Sequence, residues 1–235
     1  MEQHELIDEL VIGNHILFDE GVVDGFGHLS ARHPTDPKKF LLAWAIAPGI
    51  VSAGDILTFD LEGNVLDGSG QELYSERFIH AAIYASRPDV NGIVHSHSPA
   101  IIPFTIVDET LQPVWHMSAF LGEGVSHFDT QDVVGDSDLL IRNMKLGSAL
   151  ADRLGARSVA LMRGHGSVAV GRTVREAVFR AIYVEANAKI QLQAKQLGDP
   201  IFINEGEALA MQAHHDADPS YRRPWEFWSS LVDIE

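Results

Sequence analysis

Apolar positions along this chain change their spacing several times, and the changes mark out its elements. Over residues 2–22, Leu6, Leu10, Ile12, Ile16 and Leu17 recur at roughly helical spacing before Gly21, which predicts an amphipathic helix. Between 25 and 66 the pattern breaks into short apolar runs separated by Gly, Pro and Asp, among them Phe40-Leu41-Leu42-Ala43 and Ile56-Leu57-Thr58-Phe59, with a turn at Glu62-Gly63-Asn64. Strands and hairpins are expected there. A helix over 75–86 follows from the apolar face Phe78, Ile79, Ala82 and Ile83, with Pro88 beyond its end. A strand over 90–95 comes next, then a helix over 139–154 and two strands, 158–162 and 167–170, flanking Arg163-Gly164-His165-Gly166. A long helix over 173–197 opens on a Thr-x-x-Glu capping box at Thr173 and Glu176.

After Gly198 the chain contains Pro200, Pro219 and Pro224 and finishes in the aromatic segment Trp225-Glu226-Phe227-Trp228. So apolar a segment is expected to pack on the body or on a neighbouring subunit. No internal repeat and no linker interrupts the chain, so residues 1–235 read as one domain with 199–235 as its aromatic tail. Strands and helices mixed without regular alternation predict an α/β fold around a largely antiparallel sheet.

Composition then narrows the chemistry. The 235 residues are 46% hydrophobic and 21% charged, as in ordinary globular proteins, and ample for a sizeable core. No apolar run approaches bilayer length, and the start Met1-Glu2-Gln3-His4-Glu5 is acidic where a signal peptide is basic. A cytoplasmic enzyme with no membrane partner is the expectation. A formal charge of −16 argues against general binding to nucleic acid, which needs a basic footprint. With no cysteine, a metal site must be built from imidazole, carboxylate or water.

With 12 histidines, clustering rather than presence decides. In His95-Ser96-His97 the two imidazoles stand two residues apart, on one face of an extended segment. His165 lies between Gly164 and Gly166, where missing side chains let an imidazole approach closely. Three neutral imidazoles with a position left open make a catalytic site for one divalent ion, zinc, manganese, iron or cobalt. Glu76 opens the predicted helix, where the helix dipole alone would favour a carboxylate; it is equally placed to reach the metal or to act as acid or base. His28, beside Ser30 and Arg32, and His116, beside Trp115, are each as readily explained by packing. His4, His15, His33, His127, His214 and His215 have no neighbours that ask for a role.

The ordered set Gly27-His28-Leu29-Ser30, Ser75-Glu76-Arg77, His95-Ser96-His97 and Arg163-Gly164-His165-Gly166 resembles the class II aldolase/adducin family over nearly the whole chain up to Leu197. The resemblance implies an α/β/α sandwich with a mainly antiparallel sheet, His95, His97 and His165 as metal ligands, Glu76 as the acid/base residue, and a tetramer with active sites at subunit interfaces. Departures from the sugar-phosphate aldolases of the family are informative. Where those hold phosphate with an Asn, a Thr-Pro-Ser/Thr-Gly loop and a Ser-Ser pair, this chain has His28, the region Leu42-Ala43-Trp44-Ala45, and Tyr74 before Ser75.

The pattern is similar instead to the hydroxy-aromatic acid decarboxylases of the family, including proteins acting on dihydroxyphthalate, which share the Gly-His-x-Ser segment, the Arg-Gly-His-Gly turn and a His-Met pair. The resemblance implies loss of carbon dioxide from a small aromatic acid. His28, Ser30, Arg32, Tyr74 and Arg163 are then expected to bind substrate, and Glu76 or His116 to donate a proton. Retro-aldol cleavage of an unphosphorylated hydroxy acid or aldehyde, iron-dependent oxygenation, and a non-catalytic interaction domain are the competing expectations.

Overall fold

The computed structural model describes residues 2–68, 70–216 and 221–232. Its elements in chain order are α1 (Gln3–Asp19), β1 (His28–Arg32), β2 (Lys39–Ala43), β3 (Ile56–Asp60), α2 (Arg77–Ser86), β4 (Gly92–Ser96), α3 (Ile102–Ile106), β5 (Ser126–Phe128), α4 (Gln131–Val134), α5 (Met144–Leu154), β6 (Val159–Met162), β7 (Gly166–Gly171), α6 (Val174–Leu197), α7 (Glu205–Asp216) and α8 (Arg222–Ser229). The seven strands form one sheet in the order β3-β2-β1-β4-β7-β6-β5, antiparallel throughout except for the parallel pair β5–β6.

Alternation along the strands divides the apolar side chains between two clusters, because successive residues face opposite sides of a sheet. Leu29, Leu41, Val94, Leu161 and Ala169 join residues of α1 and α6 in one cluster, with Trp225 and Trp228 of α8 buried in it. Phe40, Leu42, Ile93, Met162 and Val170 join residues of α2 and α5 in the other. Helices thus flank both faces of the sheet.

Two predicted boundaries shift for local reasons. The helix expected over 139–154 begins only at Met144, where the Asn143 side chain accepts a hydrogen bond from Leu146 N–H. Residues 139–142 are irregular, and Leu139 has φ +66°, a strained conformation for a γ-branched residue. At the start of α6 the expected reciprocal cap is offset by one residue. Thr173 Oγ1 accepts from Glu176 N–H, but the Glu176 carboxylate accepts from Arg172 N–H instead of the cap's own.

The tail forms α7 and α8. Pro219 and residues 233–235 lie outside the described residues, as do the side chains of His214 and His215. Among the described residues no helix is long and apolar enough to cross a membrane.

Candidate metal centre and cleft

The centre of the sheet positions the histidines. β4 lies between β1 and β7, and its carboxyl end delivers His95 on the strand and His97 just beyond it. The β6–β7 turn brings His165 alongside. That turn requires glycine on both sides: Gly164 has φ +62°, and a Cβ on Gly166 would lie 2.1 Å from the Ser96 carbonyl oxygen. The two backbones therefore meet more closely than any side chain allows, and the three imidazoles converge. His97 Nε2 is 3.1 Å from His95 Nε2 and 3.1 Å from His165 Nε2.

Glu76 sits at the N-cap position of α2, where its side chain makes no capping hydrogen bond, and completes the group. Its Oε2 lies 3.5 Å from His95 Nε2 and 3.3 Å from His165 Nε2, while its Oε1 accepts from Ile141 N–H at 2.9 Å. Burial raises the carboxyl's pKa, and it falls below the usual carboxylate range only while the His165 and His95 imidazoles donate to it. Burial likewise lowers His97, to about 4.

Outer contacts fix which ring nitrogens face inward. His95 Nδ1 lies 3.0 Å from the Ser167 carbonyl oxygen, and His165 Nδ1 lies 3.0 Å from that of Leu139. A carbonyl only accepts, so both Nδ1 atoms carry the proton and both Nε2 atoms present lone pairs to the centre. The strained Leu139 backbone is what supplies one of these carbonyls. Two imidazole lone pairs and a carboxylate then face one another, with all four ligand atoms of Glu76, His95, His97 and His165 within 4.8 Å. His97 can give one proton to one neighbour. Such a set repels itself unless a cation sits within it, and neutral imidazoles with one carboxylate fit a divalent transition ion.

A cleft of about 610 Å³ opens onto this group, lined by Phe26, His28, Ala45, Ile46, Ala47, Leu73, Tyr74, Glu76, His97 and Arg142 among others. A larger cavity between α1 and residues 49–54 contains none of the clustered residues. His28 pairs with His95 across β1 and β4, ring centroids 5.0 Å apart, and packs 4.6 Å from the Tyr74 ring. The Tyr74 hydroxyl itself donates to the Ile46 carbonyl, so the residue offers the cleft its ring rather than its oxygen.

Three residues expected at the substrate are placed otherwise. Arg32 is buried and its guanidinium donates to the carbonyls of Val90, Pro37, Tyr84 and Arg87, holding β1 against α2 and committing four of its five N–H donors to the backbone. Arg163 turns outward from the β6–β7 turn and pairs with Asp129. Ser30 is fully buried, its hydroxyl bonded to His80 Nδ1 and Tyr84 OH. His116 is exposed at the start of a 3-10 helix, with Trp115 as its ring neighbour and no contact to the histidine group within this chain.

Two residues that the sequence did not single out enter instead. Arg142 is the one cation among the cleft-lining residues, and it pairs with Asp138 at 2.7 Å. His80, fully buried on α2, bonds His28 Nδ1 through its Nε2 at 2.6 Å. Its signal was available: Glu76, His80 and Tyr84 recur every four residues, a polar stripe on an otherwise apolar helix.

Over residues 8–192 the sequence matches the model of the class II aldolase and adducin N-terminal domain. The chain belongs to this family. Among its relatives, a decarboxylase from Talaromyces stipitatus, tropJ, is 36% identical over 95% of this chain and 92% of its own length. The 3,4-dihydroxyphthalate decarboxylase of Arthrobacter keyseri is 29% identical over 81% of this chain and 79% of its own. The same class II aldolase fold is found in the L-fuculose 1-phosphate aldolase of Glaciozyma antarctica, at a TM-score of 0.81 and 24% identity, covering 98% of this chain and 89% of that one.

Proposed function

We propose that this class II aldolase family member is a divalent-metal-dependent carbon–carbon lyase that decarboxylates a hydroxylated aromatic carboxylate of the dihydroxyphthalate type. The observation that carries the proposal is the wall of the cleft beside the histidine group: Phe26, Ala45, Ile46, Ala47, Leu73 and the Tyr74 ring make most of it apolar and partly aromatic, with Glu72 and Ser75 among its polar groups and Arg142 as its single cation. A flat apolar ring bearing an anionic group fits such a surface; a sugar phosphate, needing several hydroxyl and amide donors, does not. The relatives named decarboxylase support the same choice.

His95, His97 and His165, with Glu76 beside them, would hold the metal, which when bound would supply Lewis-acid stabilisation for the electrons released when a carbon–carbon bond breaks. The chain's own groups do the rest. The anionic Glu76 takes a phenolic proton from the substrate and returns it to the ring carbon that loses carbon dioxide. His28 and Arg142 hold the carboxylate, and the apolar wall excludes water from the ring. His116 is read as an interface residue that reaches the cleft of a neighbouring copy in a homotetramer, a second candidate proton donor. The helices on both faces of the sheet are read as a three-layer α/β/α sandwich, formed as one domain by the whole chain, in a cytoplasmic protein.

Product identity tests the reading. Incubated with metal and dihydroxyphthalates, the protein is expected to release carbon dioxide, and His95→Ala and Glu76→Gln to lose that release by about 10²-fold or more. Aldehyde from an unphosphorylated hydroxy acid, with no carbon dioxide from any aromatic acid, would assign aldol chemistry instead. Stoichiometric oxygen consumption would assign an oxygenase.

A further inference from the structure

Behind the cleft a line of four polar side chains runs into the apolar core. His28 Nδ1 lies 2.6 Å from His80 Nε2, His80 Nδ1 lies 2.6 Å from Ser30 Oγ, and Ser30 Oγ lies 2.9 Å from Tyr84 OH. All four residues are buried, and His80, Ser30 and Tyr84 are 1% exposed or less. The geometry follows from two periods meeting: His28 and Ser30 share a face of β1 at a spacing of two, and His80 and Tyr84 share a face of α2 at a spacing of four.

Each of the three links needs one proton, and the four groups carry one each when the imidazoles are neutral. Burial lowers His80 to about 3, consistent with a neutral ring. If the line ran from His28 inward, Ser30 would donate to Tyr84, and the phenol's own proton would have no acceptor among the described residues, in a place that water does not reach. A buried O–H without an acceptor costs on the order of 1–3 kcal/mol. If the line runs outward, Tyr84 donates to Ser30, Ser30 to His80 Nδ1, and His80 Nε2–H to His28 Nδ1, so all three buried links are made and only the fourth proton is left over. His28 is then left with its proton on Nε2, its remaining polar atom, at the wall of the cleft.

We infer that the Tyr84–Ser30–His80 line fixes the tautomer of His28, so that it presents a permanent neutral N–H donor to a substrate oxygen. His80 is a positioning residue in this scheme. The inference rests on the cleft being the substrate site only for the word substrate; the proton order belongs to the free protein. A donor-only N–H selects an anionic or carbonyl oxygen and rejects a substrate hydroxyl that must itself donate.

Selective 15N-histidine labelling of the metal-loaded protein tests this, with His28 and His80 signals assigned from His28→Asn and His80→Gln. The one-bond proton and two-bond carbon-proton couplings of each ring report its tautomer. His28 is expected wholly as Nε2–H. It is expected to stay so in His80→Gln, whose amide N–H can donate to Nδ1, and to become a mixture in His80→Leu. An Nδ1–H signal for His28 in the unmodified protein, or a His28 tautomer unmoved by His80→Leu, would overturn it. Should His80→Leu not fold, Ser30→Ala takes its place with the same expected mixture. Because no turnover is read, failure of the decarboxylase assignment leaves this result standing, and the reverse also holds.

Discussion

Glycine 166 shows at the scale of single residues how the site depends on backbone approach. A methyl group there would sit 2.1 Å from the Ser96 carbonyl oxygen and 3.2 Å from His97 Cα, between the segments that carry the ligands. Gly166→Ala should therefore separate His97 from His165 and weaken metal affinity by about 10- to 100-fold, the range seen when ligand-orienting contacts are lost; isothermal titration with zinc would measure it. Arg142 makes a different kind of contribution. It is more than half exposed and already paired with Asp138, so its removal should leave the fold intact. Arg142→Leu is expected to raise KM for an aromatic acid about tenfold while changing kcat little, the loss of one charge-assisted contact; steady-state kinetics would show the split.

The converging residues were legible in the sequence because their geometry is local: a spacing of two in His95 and His97, and paired glycines around His165. Arg32 was misread for the opposite reason. It shares the face of β1 with His28 and Ser30, but its four carbonyl partners come from Pro37 and from segments more than fifty residues away. Nothing beside it in the chain shows that four of its five donors are already taken.

Among the elements, α2 carries the most chemistry. One face supplies Ile79, Ala82 and Ile83 to the core, and the polar stripe Glu76, His80 and Tyr84 runs from the histidine group inward along β1. The apolar period predicted the helix, and the same reading passed over the four-residue polar stripe that marks His80, whose partner His28 lies fifty-two residues earlier. The segment before α5 was misread as helix because Leu139, Leu140 and Ile141 are apolar. Those residues are instead tied to the site, Leu139 through its carbonyl on His165 and Ile141 through its amide on Glu76. Asn143 marks the true start of the helix. Asn143→Ala should cost about 1 kcal/mol, the usual worth of such a cap, and loosen the segment that precedes it; chemical denaturation would give the loss, and hydrogen exchange at Ile141 N–H its location.

For the whole molecule, a sheet with helices on both faces brings residues from positions 28, 76, 95 and 165 to one end of its central strands. The α/β class and the mostly antiparallel sheet were readable from mixed spacing, whereas the strand order was not, since β1–β4 and β4–β7 join segments some sixty to eighty residues apart. The helical form of the tail was also hidden, by its prolines, although its tryptophans pointed to burial. These levels meet in one claim, that an ion held by His95, His97 and His165 makes this cleft a carboxy-lyase. The direct measurement is carbon dioxide release from 3,4-dihydroxyphthalate by protein stripped with a chelator and then titrated with a divalent metal. Release should vanish on stripping and return in proportion to metal, saturating near one ion per chain; full turnover by the exhaustively stripped protein would contradict the account.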